Sequence, residues 1–167
     1  GRLAAQALLE GHHRDIGVIE LDPNDGEAAP GRRVGCRTYL EQAGIPWSTV
    51  HVAVGHGTTR DGYAAASRLL TDHPWLTGLV CGNDRMAMGA YAAIREQGLR
   101  VREDVAVIGI DDQELIADQV HPALTTVALP FEEMGQVAVS HLLALMEGEE
   151  VPAETLLPGT IIRRSSA

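Results

Sequence analysis

Residues 80–90 read Val-Cys-Gly-Asn-Asp-Arg-Met-Ala-Met-Gly-Ala, and this stretch decides the fold. A short apolar run ends at Asn83 and Asp84, and a run of small, helix-favouring residues follows immediately. Such a run is typical of a buried strand, and the residues after it are typical of a helix. The junction places an amide beside a carboxylate, where either group can cap the helix or contact a ligand.

Short apolar runs of this kind recur along the chain, with starts roughly 30 residues apart, which is the length of one strand–helix–strand unit. They occupy residues 16–21, 49–54, 78–82 and 105–110. Helical patterns precede and separate them, at residues 2–10, 33–43, 61–72 and 85–97. The alternation predicts an α/β fold with a parallel, Rossmann-like sheet and helices on both faces.

Other features refine this prediction. Residues 49–54 alternate valine with other residue types, which predicts a strand near the edge of the sheet. Gly11, Gly44 and Gly98 each follow a helical run, so each is predicted to form a left-handed C-cap.

The pattern changes after Asp112. We predict a strand at residues 124–129, a long amphipathic helix at 131–147, and one or two strands within 151–164. Because large bare apolar patches promote association, the apolar stripe of the long helix is expected either to fold onto the rest of the chain or to pair with a second copy.

Composition restricts the function. The chain has 167 residues, enough for one domain, and its net charge of −10 argues against a nucleic-acid surface. All 13 basic residues are arginine, which excludes a Walker-type phosphate loop and Schiff-base chemistry, since both need lysine. With no apolar run long enough to span a bilayer and no secretory signal pattern, we expect no membrane association and a cytoplasmic location.

The cysteines and histidines do not form a metal-binding pattern. Cys36 and Cys81 are too few for a disulfide framework, and Cys81 is predicted to be a small buried hydrophobe. The histidine pairs at positions 12–13 and 51/56 lack the helical spacing or cysteine partners of a metal site. We therefore predict no metal and no cofactor.

Polar residues follow each predicted strand, at residues 22–27, 55–61, 83–84 and 111–112, and Arg32 lies near a helix start. Because parallel strands deliver their carboxyl ends to one edge of the sheet, these loops are expected to form a ligand site there. Taken singly, Asn83 is a candidate helix cap, Asp111 a candidate turn residue and Arg32 a candidate surface residue. Their predicted convergence favours the ligand site.

An enzymatic function has weaker support. The Gly55-His-Gly57 sequence is similar to the start of a dinucleotide-binding loop, but Arg60 stands where the third glycine would fall. The chain also lacks the Gly-x-Ser-x-Gly pattern of a nucleophile elbow. A Rossmann-type enzyme is therefore the least favoured alternative, and we predict that the protein is not an enzyme.

Several longer motifs resemble the lactose-repressor (LacI/GalR) family of bacterial transcriptional regulators. The motifs are Ala-Leu-Leu-Glu-Gly-His-His-Arg-Asp-Ile-Gly-Val-Ile at 7–19, Arg-Arg-Val-Gly-Cys-Arg-Thr-Tyr-Leu at 32–40, Cys-Gly-Asn-Asp-Arg-Met-Ala-Met-Gly-Ala at 81–90, Gly-Leu-Arg-Val-Arg-Glu-Asp-Val-Ala-Val-Ile-Gly-Ile-Asp-Asp at 98–112, Pro-Ala-Leu-Thr-Thr-Val at 122–127, Glu-Met-Gly at 133–135 and Arg-Arg-Ser-Ser at 163–166. The resemblance covers nearly all of the chain, and the order and spacing of the motifs make it specific.

The resemblance implies a domain organisation. Members of the family carry a DNA-binding helix-turn-helix head, a hinge and a two-lobed effector domain of the type I periplasmic-binding-protein fold. This chain is expected to begin at the second lobe, with that lobe at residues 1–129. Residues 130–150 then form a helix that crosses back onto the first lobe, and residues 151–167 form terminal strands.

The resemblance also implies a set of effector contacts. Arg32 matches the arginine that grips ligand hydroxyls, Asn83 an amide that often contacts sugar, and Asp111 a carboxylate that accepts hydrogen bonds from vicinal hydroxyls. Family members often stack an aromatic residue on the ligand at the position of Gly57, and here only the neighbouring His56 could substitute.

The implied function is an effector-sensing domain that binds a sugar or related molecule, works as a homodimer, and contacts DNA only through the head of the intact protein. Because this chain is expected to supply only one of the two lobes that form the cleft, it should bind the effector weakly by itself. The alternative reading is one lobe of a transport-type periplasmic sugar-binding protein, which has the same fold but would carry an export signal.

Overall fold

The computed structural model describes residues 1–26 and 28–167, except for the side chain of Asp25. Glu27, the last residue of the polar stretch predicted after the first strand, therefore lies outside the description. The helices are α1 (Arg2–Glu10), α2 (Ala28–Gln42), α3 (Thr59–Asp72), α4 (Asp84–Glu96) and α5 (Phe131–Met146). The strands are β1 (Ile16–Leu21), β2 (His51–Gly55), β3 (Gly78–Cys81), β4 (Ala106–Asp111), β5 (Thr125–Ala128) and β6 (Thr160–Ile162).

The described strands form one sheet in the order β2-β1-β3-β4-β5-β6. Every neighbouring pair from β2 through β5 is parallel, and β6 joins the end of the sheet antiparallel to β5. The predicted α/β fold with a parallel sheet is confirmed, and so is the edge position of β2. Within residues 151–167 the description contains a single strand, β6.

Apolar side chains alternate between the two faces of the sheet and create two cores. Val18, Val80 and Ile108 pack with α1 and α2 on one face. Ile19 and Leu79 pack with α3 and α4 on the other. Helices therefore cover both faces, as predicted, and Cys81 is fully buried in the second core.

Helices α3 and α4 approach closely through two glycines. A Cβ atom on Gly62 would lie 2.2 Å from the carbonyl oxygen of Met86, and one on Gly89 would lie 2.1 Å from the carbonyl oxygen of Thr59. Both distances are shorter than any real carbon–oxygen contact, so this helix pair can form only without side chains at these positions.

Two details of the sequence prediction are corrected. Gly44 and Gly98 have the predicted positive φ angles of 82° and 75°, but Gly11 has a φ of −77°. At the end of α1 the left-handed residue is instead His12, with φ 64°. Strand β2 begins at His51 rather than at residue 49, because residues 47–49 form a 3-10 turn that the Thr49 hydroxyl closes by donating to Pro46 O at 2.8 Å.

Helix α5 differs from the other helices because none of its residues is buried. Large apolar side chains are exposed along it, namely Phe131, Met134, Val139, Leu142, Leu143, Leu145 and Met146. Among the described residues α5 is therefore not folded onto the rest of the chain, and the other expected alternative, pairing with a second copy, stays a prediction. Among those residues, no helix combines the length and apolar character needed to cross a bilayer.

The last residues of the chain tie β4 to β5. The Ser166 hydroxyl is fully buried, donates to Val107 O at 2.6 Å and accepts from Thr125 N at 2.8 Å. Replacing Ser166 with alanine leaves both backbone groups without this partner and should lower the free energy of unfolding by about 1–3 kcal/mol. Urea unfolding measures the loss. Ser165→Ala, at an exposed neighbour, is the control, and equal losses for the two variants would contradict the assignment.

Candidate functional site

The carboxyl ends of β1, β3 and β4 lie side by side at one edge of the sheet. The N-terminal part of α2 lies at this edge and brings Arg32 to it. The Arg32 guanidinium reaches across the strand ends, where Nη2 lies 2.8 Å from Asp111 Oδ1 and Nη1 donates to Gly82 O. The structure therefore brings together two of the predicted site residues, Arg32 and Asp111, from positions 79 residues apart in the sequence.

The Arg32–Asp111 pair is mostly shielded from water, with side-chain exposures of 19% and 12%. Burial raises the pKa of Asp111, and the adjacent Arg32 opposes that shift. A partly desolvated carboxylate and guanidinium form stronger hydrogen bonds than exposed ones do, because the local dielectric is lower. The pair can therefore offer an acceptor and a planar donor fork to one polar ligand.

The backbone at the carboxyl end of β4 is strained. Asp111 has φ 114° and Asp112 has φ 53°, a region that residues with a Cβ rarely adopt. Strain of this kind costs about 1–3 kcal/mol and persists where surrounding contacts hold it, which is frequent at binding sites. One such contact comes from the C-terminal tail, where Arg164 Nη1 lies 2.8 Å from Asp112 Oδ1.

Asn83 is buried at the start of α4 and has two protein partners. Its Oδ1 accepts from Met86 N at 2.8 Å, so it caps the helix, and its Nδ2 donates to Gly57 O at 3.0 Å. The helix-cap interpretation therefore describes this residue in the structure. An amide nitrogen carries two hydrogens, and the bond to Gly57 O uses one of them.

His56 lies apart from the Arg32–Asp111 pair. It is exposed at the end of the edge strand β2, which is three strand positions from β4, or about 14 Å at the usual strand spacing. Its backbone N–H donates to Asp61 Oδ2 at 3.2 Å, and it lines a surface depression with Asp61 and Arg68. The strand order therefore separates His56 from the Arg32–Asp111 pair.

Asp84 is fully buried beside the site and connects the segments that form it. Its Oδ2 accepts from the backbone N–H of Gln113 at 2.7 Å, and its Oδ1 accepts from the Thr126 hydroxyl at 2.6 Å. One side chain thus fastens the start of α4 to β5 and to the loop after β4. The close fit requires Gly109, where a Cβ atom would lie 2.1 Å from Asp84 Oδ1.

Residues 5–167 match the family model of the periplasmic binding protein-like domain. The chain belongs to this family. It is 39% identical over 171 residues to the HTH-type transcriptional repressor PurR of Yersinia pestis, in an alignment that covers all of this chain and 49% of that protein. The periplasmic binding protein-like domain thus spans about half the length of the curated relatives it matches.

Solved structures give the same relationship for this periplasmic binding protein-like domain. The transcriptional regulator CelR in complex with cellobiose superposes with a TM-score of 0.92 at 34% identity, covering 99% of this chain and 50% of that one. The Lac repressor bound to ONPG gives 0.91 at 31% identity, covering 99% and 49%. The resemblance to the effector-binding domain of LacI/GalR regulators is therefore confirmed.

Sequence reasoning missed two buried carboxylates of this LacI-type domain. Asp84 was predicted either to cap the helix or to contact a ligand, and its bonds to Gln113 and Thr126 join segments that the sequence does not reveal as neighbours. Glu20 lies in β1 and is only 6% exposed. The sequence did contain a sign of this residue, since Glu20 is the single charged residue in an otherwise apolar strand.

We expect Asp84→Asn to remove a pH dependence of stability. Burial raises the pKa of Asp84 from its ordinary 3.8 to about 6. The folded protein therefore keeps a proton that the unfolded chain has released, and the resulting stabilisation, complete below pH 3.8, is lost as pH rises through about 6. Between pH 4 and pH 7, the free energy of unfolding of the wild type should therefore fall by about 1–3 kcal/mol relative to that of Asp84→Asn.

Urea unfolding at pH 4, 5.5 and 7 measures this shift. Asp118→Asn, which removes an exposed carboxylate, is the matched control. A difference between Asp84→Asn and the wild type that stays constant across the three pH values would contradict the expected titration of Asp84.

Proposed function

We propose that this chain is the effector-sensing domain of a LacI-type transcriptional regulator and that its effector is a sugar or another polyol. The observation that carries the proposal is the Arg32–Asp111 pair, held over the carboxyl edge of a parallel sheet with Gly82 O as a third contact. In open α/β sheets, ligands bind in the crevice at this edge.

The chemistry of the proposed site suits neighbouring hydroxyl groups. Asp111 accepts hydrogen bonds from hydroxyls, Arg32 donates to their oxygens, and the second N–H of Asn83 adds a donor. Hydrogen bonds to charged groups contribute roughly 1.5–3 kcal/mol each, so two or three of them suffice for selective binding. His56 is a peripheral contact in this proposal because of its distance from the pair.

The proposed mechanism is a shift between two arrangements of a two-lobed cleft, with no bond made or broken. Residues 1–129 supply one lobe, residues 130–150 the crossing helix and residues 151–167 the terminal segment. The uncovered apolar side chains of α5 support this division, because they need polypeptide beyond the described lobe to cover them.

The intact regulator is proposed to act in the cytoplasm as a homodimer. DNA would be contacted through a separate head, because the net charge of −10 makes this domain a poor partner for phosphate. Effector binding would then change the affinity for DNA through the coupling of the two sites.

Calorimetry on the full-length protein tests the proposal, with D-glucose, D-galactose, D-ribose, cellobiose and adenosine as ligands. DNA affinity is measured in parallel by fluorescence anisotropy, on a fragment selected from a randomised pool. We expect at least one of these ligands to bind and to change DNA affinity by about 5–150-fold. Binding of none of them, or chemical conversion of a bound one, would contradict the proposal.

A further inference from the structure

Glu20 is a buried carboxylate that the proposed Arg32–Asp111 site does not use. It lies next to the last residue of β1, close to the carboxyl edge of the sheet, and its side chain is 5% exposed. Its Oε2 lies 3.3 Å from Arg33 Nη1 on α2, which is a long ion pair. Burial raises the pKa of Glu20, and Arg33 opposes that shift.

The other carboxylate oxygen, Oε1, lacks a hydrogen-bond partner among the residues that the structure describes. This oxygen is also buried. Leaving such an atom unpaired costs about 1–3 kcal/mol, or more when the group is charged, so the position calls for a donor that the described residues do not supply.

A cavity of about 20 Å³ adjoins Glu20, and the Arg32 side chain and Gly82 also line it. Most of the remaining lining is apolar, from the core between the sheet and α2. This volume holds one water-sized group. Because Arg32 lines this cavity and also contacts Asp111, a ligand on the Arg32–Asp111 pair has the cavity within reach of one substituent.

The charges around the cavity select the kind of substituent. The lining includes the carboxylate of Glu20 and three basic groups, namely Arg32, Arg33 and the α-amino group of Gly1. A cationic substituent would be repelled by these three groups, and an anionic one has no proton to donate to Glu20 Oε1. A neutral hydroxyl satisfies Glu20 Oε1 without adding a charge to a partly buried place.

We propose that Glu20 is a specificity-determining residue, and that the effector places one hydroxyl group in the cavity, where it donates to Glu20 Oε1. The inference rests on the proposed function, because it assigns a further contact to the same ligand. It also restricts the ligand class to molecules with a hydroxyl next to the atoms that contact Arg32. An analogue that lacks this hydroxyl leaves a buried acceptor unpaired and is rejected strongly.

The experiment uses the full-length protein, the best-binding sugar among glucose, galactose, ribose and cellobiose, and the monodeoxy analogues of that sugar. Calorimetry on the wild type should find one monodeoxy analogue that binds at least ~10-fold more weakly than the parent sugar. In Glu20→Met, which keeps the side-chain volume and removes the acceptor, the parent and that analogue should bind within about twofold of each other. Glu20→Gln, which keeps one acceptor oxygen, should retain part of the discrimination and covers the case in which Glu20→Met does not fold.

Glu41→Met is the matched control, because it makes the same substitution on α2 and removes an ion pair, Arg37–Glu41 at 3.0 Å, away from the cavity. This variant should discriminate as the wild type does. Discrimination that survives unchanged in both Glu20 variants would overturn the inference while leaving the proposed function intact. Binding of none of the four sugars by the wild type would overturn this inference, and the proposed function falls with it only if adenosine also fails to bind.

Discussion

Replacing Arg32 with methionine is expected to weaken effector binding by the full-length protein at least 100-fold, or about 3 kcal/mol. The substitution keeps an unbranched side chain and removes the guanidinium that contacts Asp111 and Gly82 O. Two charge-assisted hydrogen bonds to the ligand account for a loss of this size. Asp111 would also be left partly buried without its cationic partner, which raises its pKa further.

Calorimetry with the best-binding sugar measures the effect. Arg32→Lys, which keeps the charge and loses the planar fork, should bind roughly 10-fold more weakly than the wild type. Arg37→Met is the control, since Arg37 lies on the same helix and pairs only with the exposed Glu41 among the ion partners described. Because breaking the Arg32–Asp111 pair also affects folding, binding is compared at a temperature where urea unfolding shows every variant to be folded. A loss below about fivefold for Arg32→Met would remove Arg32 from the site.

Replacing Gly62 with alanine should destabilise the domain by about 3 kcal/mol, which is at the upper end of the usual cost of overpacking. The new Cβ would lie 2.2 Å from the backbone oxygen of Met86, so α3 and α4 would have to separate. No rotation of a side chain can relieve this contact, because the opposing atom belongs to the backbone.

Urea unfolding measures the change. Gly31→Ala is the matched control, because Gly31 is also helical and a Cβ there would meet nothing within 4 Å. Since alanine favours helix more than glycine does, the control should be neutral or stabilising by up to about 1 kcal/mol. Similar free energies of unfolding for both variants would contradict the close packing of α3 on α4.

The sequence predicted the sheet well because buried parallel strands leave a plain signal. Strand β1 and helix α1 have the predicted bounds, and the alternating valines of β2 indicated its edge position correctly. Helix α2 was predicted to begin at residue 33 but begins at Ala28. Its first residues include Pro30 and Gly31, which disfavour helix interiors, yet proline is tolerated in a first turn, where the N–H groups have no helical partner.

The sequence predicted the position of the candidate site at one edge of the sheet, but it did not predict all of the side-chain contacts there. Parallel strands bring their carboxyl ends to one edge, so Arg32 and Asp111 were predicted to lie at the same edge, and the structure adds their direct contact. The helix-capping bond between Asn83 Oδ1 and Met86 N was among the sequence predictions. The second partner of Asn83, Gly57 O, did not follow from the sequence, because this contact depends on the backbone around Gly57, where φ is 74°. The unpaired oxygen of Glu20 depends on side-chain distances that no sequence pattern encodes.

For helix α5, the sequence predicted the helix but not the partner that covers its apolar face. Its amphipathic pattern predicted a helix at residues 131–147, and the structure contains one at Phe131–Met146. A pattern of apolar residues shows that a face needs covering, but it does not identify the partner. The exposed Leu142 and Leu145 therefore stay consistent with the proposed packing on a first lobe, which remains a proposal.

A crystal structure of the full-length protein with its best-binding sugar would locate the effector relative to Arg32 and Asp111. We predict that ligand oxygens lie within about 3.2 Å of both the Arg32 guanidinium and the Asp111 carboxylate, at the carboxyl edge of the sheet. A ligand bound elsewhere, with Arg32 and Asp111 still paired only to each other, would contradict this prediction.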